Sequence, residues 1–132
     1  MSAPCRVQRL YPAVVAVIAT AVIALSTTAS RADAQRFAIS YAAGAVSGAG
    51  LIRQKRSAKI QVRQGDQVEI AWTSDKPVNL HLHGYDIETQ VRAGATATMR
   101  FLARATGRFA IETHGGGSHG HKTILYVEVH PR

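Results

Sequence analysis

The chain has 132 residues, 16 of them Lys or Arg against 8 Asp or Glu, a formal net charge of +8. A length of this order accommodates one domain with a modest core. The one cysteine, Cys5, stands close to the start, so the remainder of the chain can form no disulfide, thiolate nucleophile, cysteine-ligated zinc site or iron–sulfur centre.

The first segment reads as an export leader. Arg6 and Arg9 precede an apolar run over 13–25, polar Ser26, Thr27, Thr28 and Ser30 end it, and Ala32-Asp33-Ala34 fits a small-x-small cleavage pattern. The apolar run is short for a membrane anchor. Cys5 lies before it rather than at its end, unlike a lipoprotein. Cleavage after Ala34 is expected, giving a signal peptide over 1–34 and one domain over 35–132. That domain would be periplasmic or secreted, without a stable membrane span.

Beyond residue 35 there is no amphipathic helix pattern. Short β-rich runs are separated by Gly, Pro, Asn and Asp. Residues 37–41 form a first strand, followed by a Gly/Ala/Ser-rich and then basic stretch over 42–57. Lys59-Ile-Gln-Val-Arg63 and Val68-Glu-Ile-Ala-Trp72 alternate apolar and polar residues, so each has one buried face. Further strands are expected over 78–83, 96–102, 108–112 and 123–129, and Trp72, Phe101, Phe109 and Ile124 read as core. About seven short strands without helices predict an all-β, antiparallel Greek-key β-sandwich. The basic residues Arg53, Lys55, Arg56 and Lys59 form either a solvated loop or a surface for an acidic partner, periplasmic or membrane-associated. They carry no interleaved aromatics, which argues against nucleic acid as a partner.

All six histidines lie in the C-terminal part of the chain: His81, His83, His114, His119, His121 and His130. His81-Leu82-His83 has strand spacing, so both imidazoles point to one face. His119-Gly120-His121 repeats the spacing beside a glycine-rich loop that His114 opens. Two such pairs plus His114 offer three to five nitrogen donors to a metal ion, and His130 reads as a plain surface residue.

The runs Val62-Arg-Gln-Gly-Asp-Gln-Val68, Asn79-Leu-His-Leu-His-Gly-Tyr-Asp86, Gly107-Arg-Phe-Ala-Ile-Glu-Thr-His114 and Ile124-Leu-Tyr-Val-Glu-Val129 resemble the cupredoxin superfamily. They are similar to periplasmic cupredoxin-like domains and to the copper domain of cytochrome oxidase subunit II. The resemblance spans 36–130. It implies a first copper ligand at His83, before Gly84-Tyr85, and a third at His121 or His119. The family's cysteine ligand falls on Thr113, and its weak methionine ligand falls near Ile124. Without the thiolate, the blue-copper and dinuclear purple sites are excluded. A histidine-dominated site remains, with His81 and His114 as further donors and Asp86 and Glu112 as carboxylates that ligate or orient an imidazole. Such a donor set suits Cu(II), with zinc as the alternative.

Three functions compete on these residues. The first is a copper-binding protein for buffering, delivery or resistance. The second is a metal-free interaction module that docks to an anionic partner. The third is a redox protein with a type-2-like copper. A Ser/His/Asp set can be drawn from Ser118, a histidine and Asp86, but no nucleophile-elbow motif surrounds Ser118.

Overall fold

The computed structural model describes residues 34–55, 57–114 and 121–132. The expected leader and its cleavage site up to residue 33, Arg56 and the Gly/His segment 115–120, with His119, lie outside them. Ten strands follow in chain order: β1 (Ala34–Ala42), β2 (Ala45–Gly48), β3 (Ile52–Arg53), β4 (Ala58–Arg63), β5 (Gln67–Ser74), β6 (Val78–Leu82), β7 (Ile87–Val91), β8 (Ala97–Leu102), β9 (Gly107–His114) and β10 (Lys122–His130). They form a four-stranded sheet in the order β2-β1-β5-β8 and a six-stranded sheet in the order β3-β4-β10-β9-β6-β7.

Side chains alternate across each strand, and the apolar half of the alternation is buried between the sheets. In β4, Ala58, Ile60 and Val62 point inward while Gln61 and Arg63 are exposed. In β5, Val68, Ile70, Trp72 and Ser74 are buried. The centre of the sandwich joins Ile70, Trp72 and Met99 of the smaller sheet to Ile60, Leu80, Leu82, Ile111, Leu125 and Val127 of the larger. Each such side chain contributes roughly 1.5–3 kcal/mol by leaving water. Trp72, Phe101 and Ile124 are core residues as expected, and Phe109 packs half-buried against them.

The all-β sandwich thus stands, with more strands than the expected seven and with mixed rather than wholly antiparallel sheets. Strand β1 runs parallel to β5, and β10 parallel to β4. Parallel pairing joins segments far apart in sequence, so alternation within a strand carries no trace of it. The strands without a counterpart in the sequence reading are β2, β3 and β7. β2 and β3 are short edge pieces inside the Gly-rich and basic stretch, and β7 is the opposite edge of the larger sheet.

The basic stretch is partly committed to the fold. Arg53 Nη2 donates to the Val46 carbonyl at 3.1 Å, and Lys59 Nζ donates to Glu128 Oε2 at 2.7 Å across the β4–β10 pair. Gln61 Nε2 donates to the same oxygen at 3.2 Å. Hydrogen bonds from Lys59 and then Gln61, against an opposing effect of burial and helped by the charges of Lys59 and Arg108, hold the Glu128 carboxyl below its ordinary 4.5. Because the folded carboxyl binds its proton more weakly than the unfolded one, this pairing stabilises fully above pH 4.5. Its contribution is lost as the pH falls through the lower folded-state value. Urea midpoints of the parent and Glu128→Gln should therefore converge as the pH is taken below 4.5. A gap that stays constant over that range would show that Glu128 stabilises by means other than its ionised pairing.

Candidate metal centre

Burial of Leu80 and Leu82 in the core turns Asn79 and His81 of β6 to the outer face of the six-stranded sheet. In the antiparallel β6–β9 pair, His81 is opposite Glu112 and Asn79 is opposite His114, and directly opposed residues share a face. The His83 N–H donates to the Ala110 carbonyl at 2.9 Å, which carries the ladder one residue past β6. His83 therefore joins the same outer face. Thr123 of β10 is opposite Glu112, and its hydroxyl donates to Glu112 Oε1 at 2.9 Å.

The result is a compact imidazole cluster. His81, His83 and His114 each offer a ligand atom, and these atoms lie within 4.8 Å of one another. The His81 and His83 ring centroids are 4.3 Å apart, and those of His81 and His114 are 5.2 Å apart. The site opens towards solvent: the His81 side chain is 16% exposed and that of His83 45%. His121, 61% exposed, stands at the rim with Nδ1 3.3 Å from His114 Nε2 and 3.9 Å from Glu112 Oε2.

Two carboxylates brace this cluster. Glu112 Oε2 accepts from His83 Nε2 at 2.9 Å, and Asp86 Oδ1 from His81 Nε2 at 3.3 Å. Burial is the largest single influence on the Glu112 carboxyl and opposes its charge. Hydrogen bonds from Thr123 and His83 and the charges of His83 and His121 together outweigh burial and keep the carboxyl below its ordinary 4.5. Asp86 reaches His81 from a left-handed backbone conformation, φ 55°, which Asp tolerates better than most residues.

The other nitrogen of His81 gives the chemical test of a metal. His81 Nδ1 is buried and has no hydrogen-bond partner among the described residues. Since a carboxylate only accepts, the nitrogen facing Asp86 carries the proton, and in the neutral ring Nδ1 then holds a bare lone pair. A buried unpaired acceptor is costly, and a cation at the centre of the triad would satisfy it. Three neutral imidazoles without sulfur form a donor set suited to Cu(II) or Zn(II).

Of the histidines expected to ligate, His81, His83 and His114 come together, and His121 adjoins them. His119 lies outside the described residues. His130 stands at the far end of β10, 3.8 Å from Glu128, and takes no part. Thr113, where the resemblance places a cysteine, is opposite Leu80 and so belongs to the inward set of β9, and Ile124 is buried at the β10 bulge. Both lie on the side of the sheet away from the imidazoles. Thr123 was missed by the sequence reading. Its position two residues after His121, at strand spacing, was the available signal.

The arrangement of strands is that of the cupredoxin-like fold. The chain superimposes on the periplasmic domain of subunit II of cytochrome oxidase (CoxB) of Bradyrhizobium japonicum with a TM-score of 0.57 and 12% identity, covering 74% of this chain and 84% of that one. A chain of a heme-copper terminal oxidase dimer matches at 0.55 and 20% identity, over 73% of this chain and 65% of that one. A multi-copper oxidase from Pseudomonas thermotolerans matches at 0.57 and 19% identity, over 76% of this chain and only 30% of that one. No protein-family description and no curated protein sequence matches the chain. The class is therefore a cupredoxin-like β-sandwich with a histidine cluster on one outer face.

The turn between His83 and Asp86 depends on Gly84. Its φ is +80°, and a Cβ there would stand 2.6 Å from Phe109 Cδ1. Gly94, at φ +70°, has open space instead. Gly84→Ala should lower unfolding free energy by about 1–3 kcal/mol from strain and overpacking. Gly94→Ala should cost less, since only the backbone term applies. Urea denaturation of the two variants checks this, and equal losses would mean that the Phe109 contact relaxes freely.

Proposed function

We propose that this protein is an exported copper-binding protein that holds Cu(II) in a non-blue, nitrogen-rich site, for metal buffering, delivery or resistance. The observation that carries this reading is the buried, unpartnered His81 Nδ1 within a triad completed by His83 and His114. The donors are His81, His83 and His114, with His121 at the rim and His119, two residues before it in the sequence, as further candidates. Among divalent ions that suit imidazole, copper has the highest affinity, with zinc next to it in the order. Copper held this way supplies a strongly bound cation but no sulfur-based electron conduit. The exposure of His83 and His121 supports a site that exchanges its ion rather than one buried for turnover. Its likeness in fold to a periplasmic oxidase domain and the leader-like first 34 residues support a location outside the cytoplasm.

A second feature supports an anionic partner. A shallow basin of about 270 Å³ beside the start of β10 is lined by Arg53, Lys55 and Lys122 and, among the described residues, by no carboxylate. Thr123, which bonds Glu112 of the site, also lines it. An acidic partner docked there would lie within two residues of His121 along the chain, and its association would weaken as salt screens the charges.

Copper titration of the purified protein tests the main reading. About one Cu(II) should bind per chain, with a paramagnetic spectrum showing several nitrogen ligands and no intense blue colour. His81→Ala, His83→Ala and His114→Ala should each weaken binding by more than about tenfold, the equivalent of about 1.4 kcal/mol. Binding as tight as the parent's in all three would rule the site out, and a strong thiolate-type absorption would contradict the donor set.

A further inference from the structure

The three clustered histidines have a common hydrogen-bond pattern. His81 Nε2 meets Asp86 Oδ1 at 3.3 Å, His83 Nε2 meets Glu112 Oε2 at 2.9 Å, and His114 Nε2 meets His121 Nδ1 at 3.3 Å. In every case the nitrogen with a polar partner is Nε2. The two carboxylates accept only, so Nε2 of His81 and of His83 is the protonated nitrogen of the neutral ring. Each of those rings then carries its lone pair on Nδ1. For His81 that atom is buried and unpartnered. If His114 donates through Nε2 to His121, it becomes the third ring of the same tautomer.

We infer that the metal is bound through Nδ1 of His81, His83 and His114, and that Asp86, Glu112 with Thr123, and His121 are positioning residues that hold the three Nε2–H groups from outside. This rests on the reading of the site given above and extends it to which atoms bind and which residues aim them. A ring pinned at its far nitrogen is fixed in tautomer and orientation, and a carboxylate there raises the basicity of the ligating nitrogen. The Glu112 brace is itself braced, since Thr123 Oγ1 donates to Oε1 while His83 occupies Oε2. Glu112 is therefore assigned to hold a ligand rather than to be one: its two oxygens already have partners within the protein. His121 stands outside the triad, with its Nδ1 turned to His114.

The test uses Cu(II)-loaded full-length protein and four variants: Asp86→Asn, Glu112→Gln, Thr123→Val and His121→Ala. Copper affinity is measured by chelator competition. Pulsed electron paramagnetic resonance reads the quadrupole coupling of the remote, non-ligating imidazole nitrogen, which responds to the hydrogen bond that nitrogen makes. Asp86→Asn and Glu112→Gln should weaken binding by about 10- to 100-fold and shift the remote-nitrogen coupling, with the number of bound nitrogens unchanged. Thr123→Val should give a smaller change in the same direction as Glu112→Gln. His121→Ala should alter the remote coupling while keeping three bound nitrogens. Thermal melts of the metal-free variants identify any whose loss is one of folding.

Parent-like affinity and coupling in Asp86→Asn and Glu112→Gln would overturn the inference. So would loss of one bound nitrogen in His121→Ala, or carboxylate ligation that disappears in Glu112→Gln. These outcomes are separable from failure of the site itself. If alanine variants of His81, His83 and His114 bind copper as the parent does, the site reading fails. If they lose copper while the positioning variants do not change, only the assignment of atoms and braces fails.

Discussion

Leu80 and Leu82 leave water completely, and the two-residue period of a strand then fixes where their neighbours go. His81 and His83 are placed on the outer face by the burial of residues that have no part in the chemistry. The antiparallel register of β6 with β9 adds Glu112 and His114 to that face, and the register of β9 with β10 adds Thr123. A slip of one residue in the β6–β9 pairing would put Thr113 opposite His81 and separate the imidazoles from their brace. Register is strongly specified here because the same slip would expose the core leucines. The stability of the sandwich and the geometry of the cluster are thus set by one constraint.

The same period separates this cluster from the position of the family's thiolate. Thr113 alternates with Glu112 and His114, so it belongs to the inward set of β9 with Ile111, whose side chain is wholly buried. The outer face is lined by imidazoles and carboxylates. A cysteine introduced at Thr113 would enter a region between the sheets rather than complete the triad. The core and the donor set are therefore carried by opposite faces of the same strands: Leu80, Leu82 and Ile111 face inward, and the clustered histidines face outward.

Much of this is legible in the sequence. Alternation in 59–63 and 68–72 predicted β4 and β5, and the i, i+2 spacing of His81 and His83 predicted that both rings share a face. Lys59 read as part of a free basic stretch, whereas it is bound to Glu128, a residue 69 positions away. Parallel pairing of β4 with β10 causes that contact, and no local pattern encodes it. The edge strands β2 and β3 were missed because they are short and almost wholly exposed, whereas β7 does alternate, with Val91 buried, over only five residues after a turn. Asp86 and Glu112 were visible as nearby carboxylates. Which histidine each holds depends on the turn at Gly84 and on cross-strand register, which arise only when the sheet assembles.

Electrostatics explains why carboxylates belong behind these rings. Three neutral imidazoles would leave the full charge of a bound divalent cation uncompensated, whereas a thiolate site neutralises part of it by direct ligation. Glu112 is ionised at neutral pH, since its carboxyl lies below 4.5, and it contacts His83 while standing 3.9 Å from His121. Its charge lies one ring away from the cluster centre, in surroundings only 20% exposed, where screening by water is weaker than at the open surface. Asp86 is fully exposed and much better screened. The two braces are therefore unequal: Glu112 supplies both orientation and field, and Asp86 mainly orientation. Glu112 and Asp86 differ in this way because one is set into the sheet between β6 and β10, and the other projects from a turn.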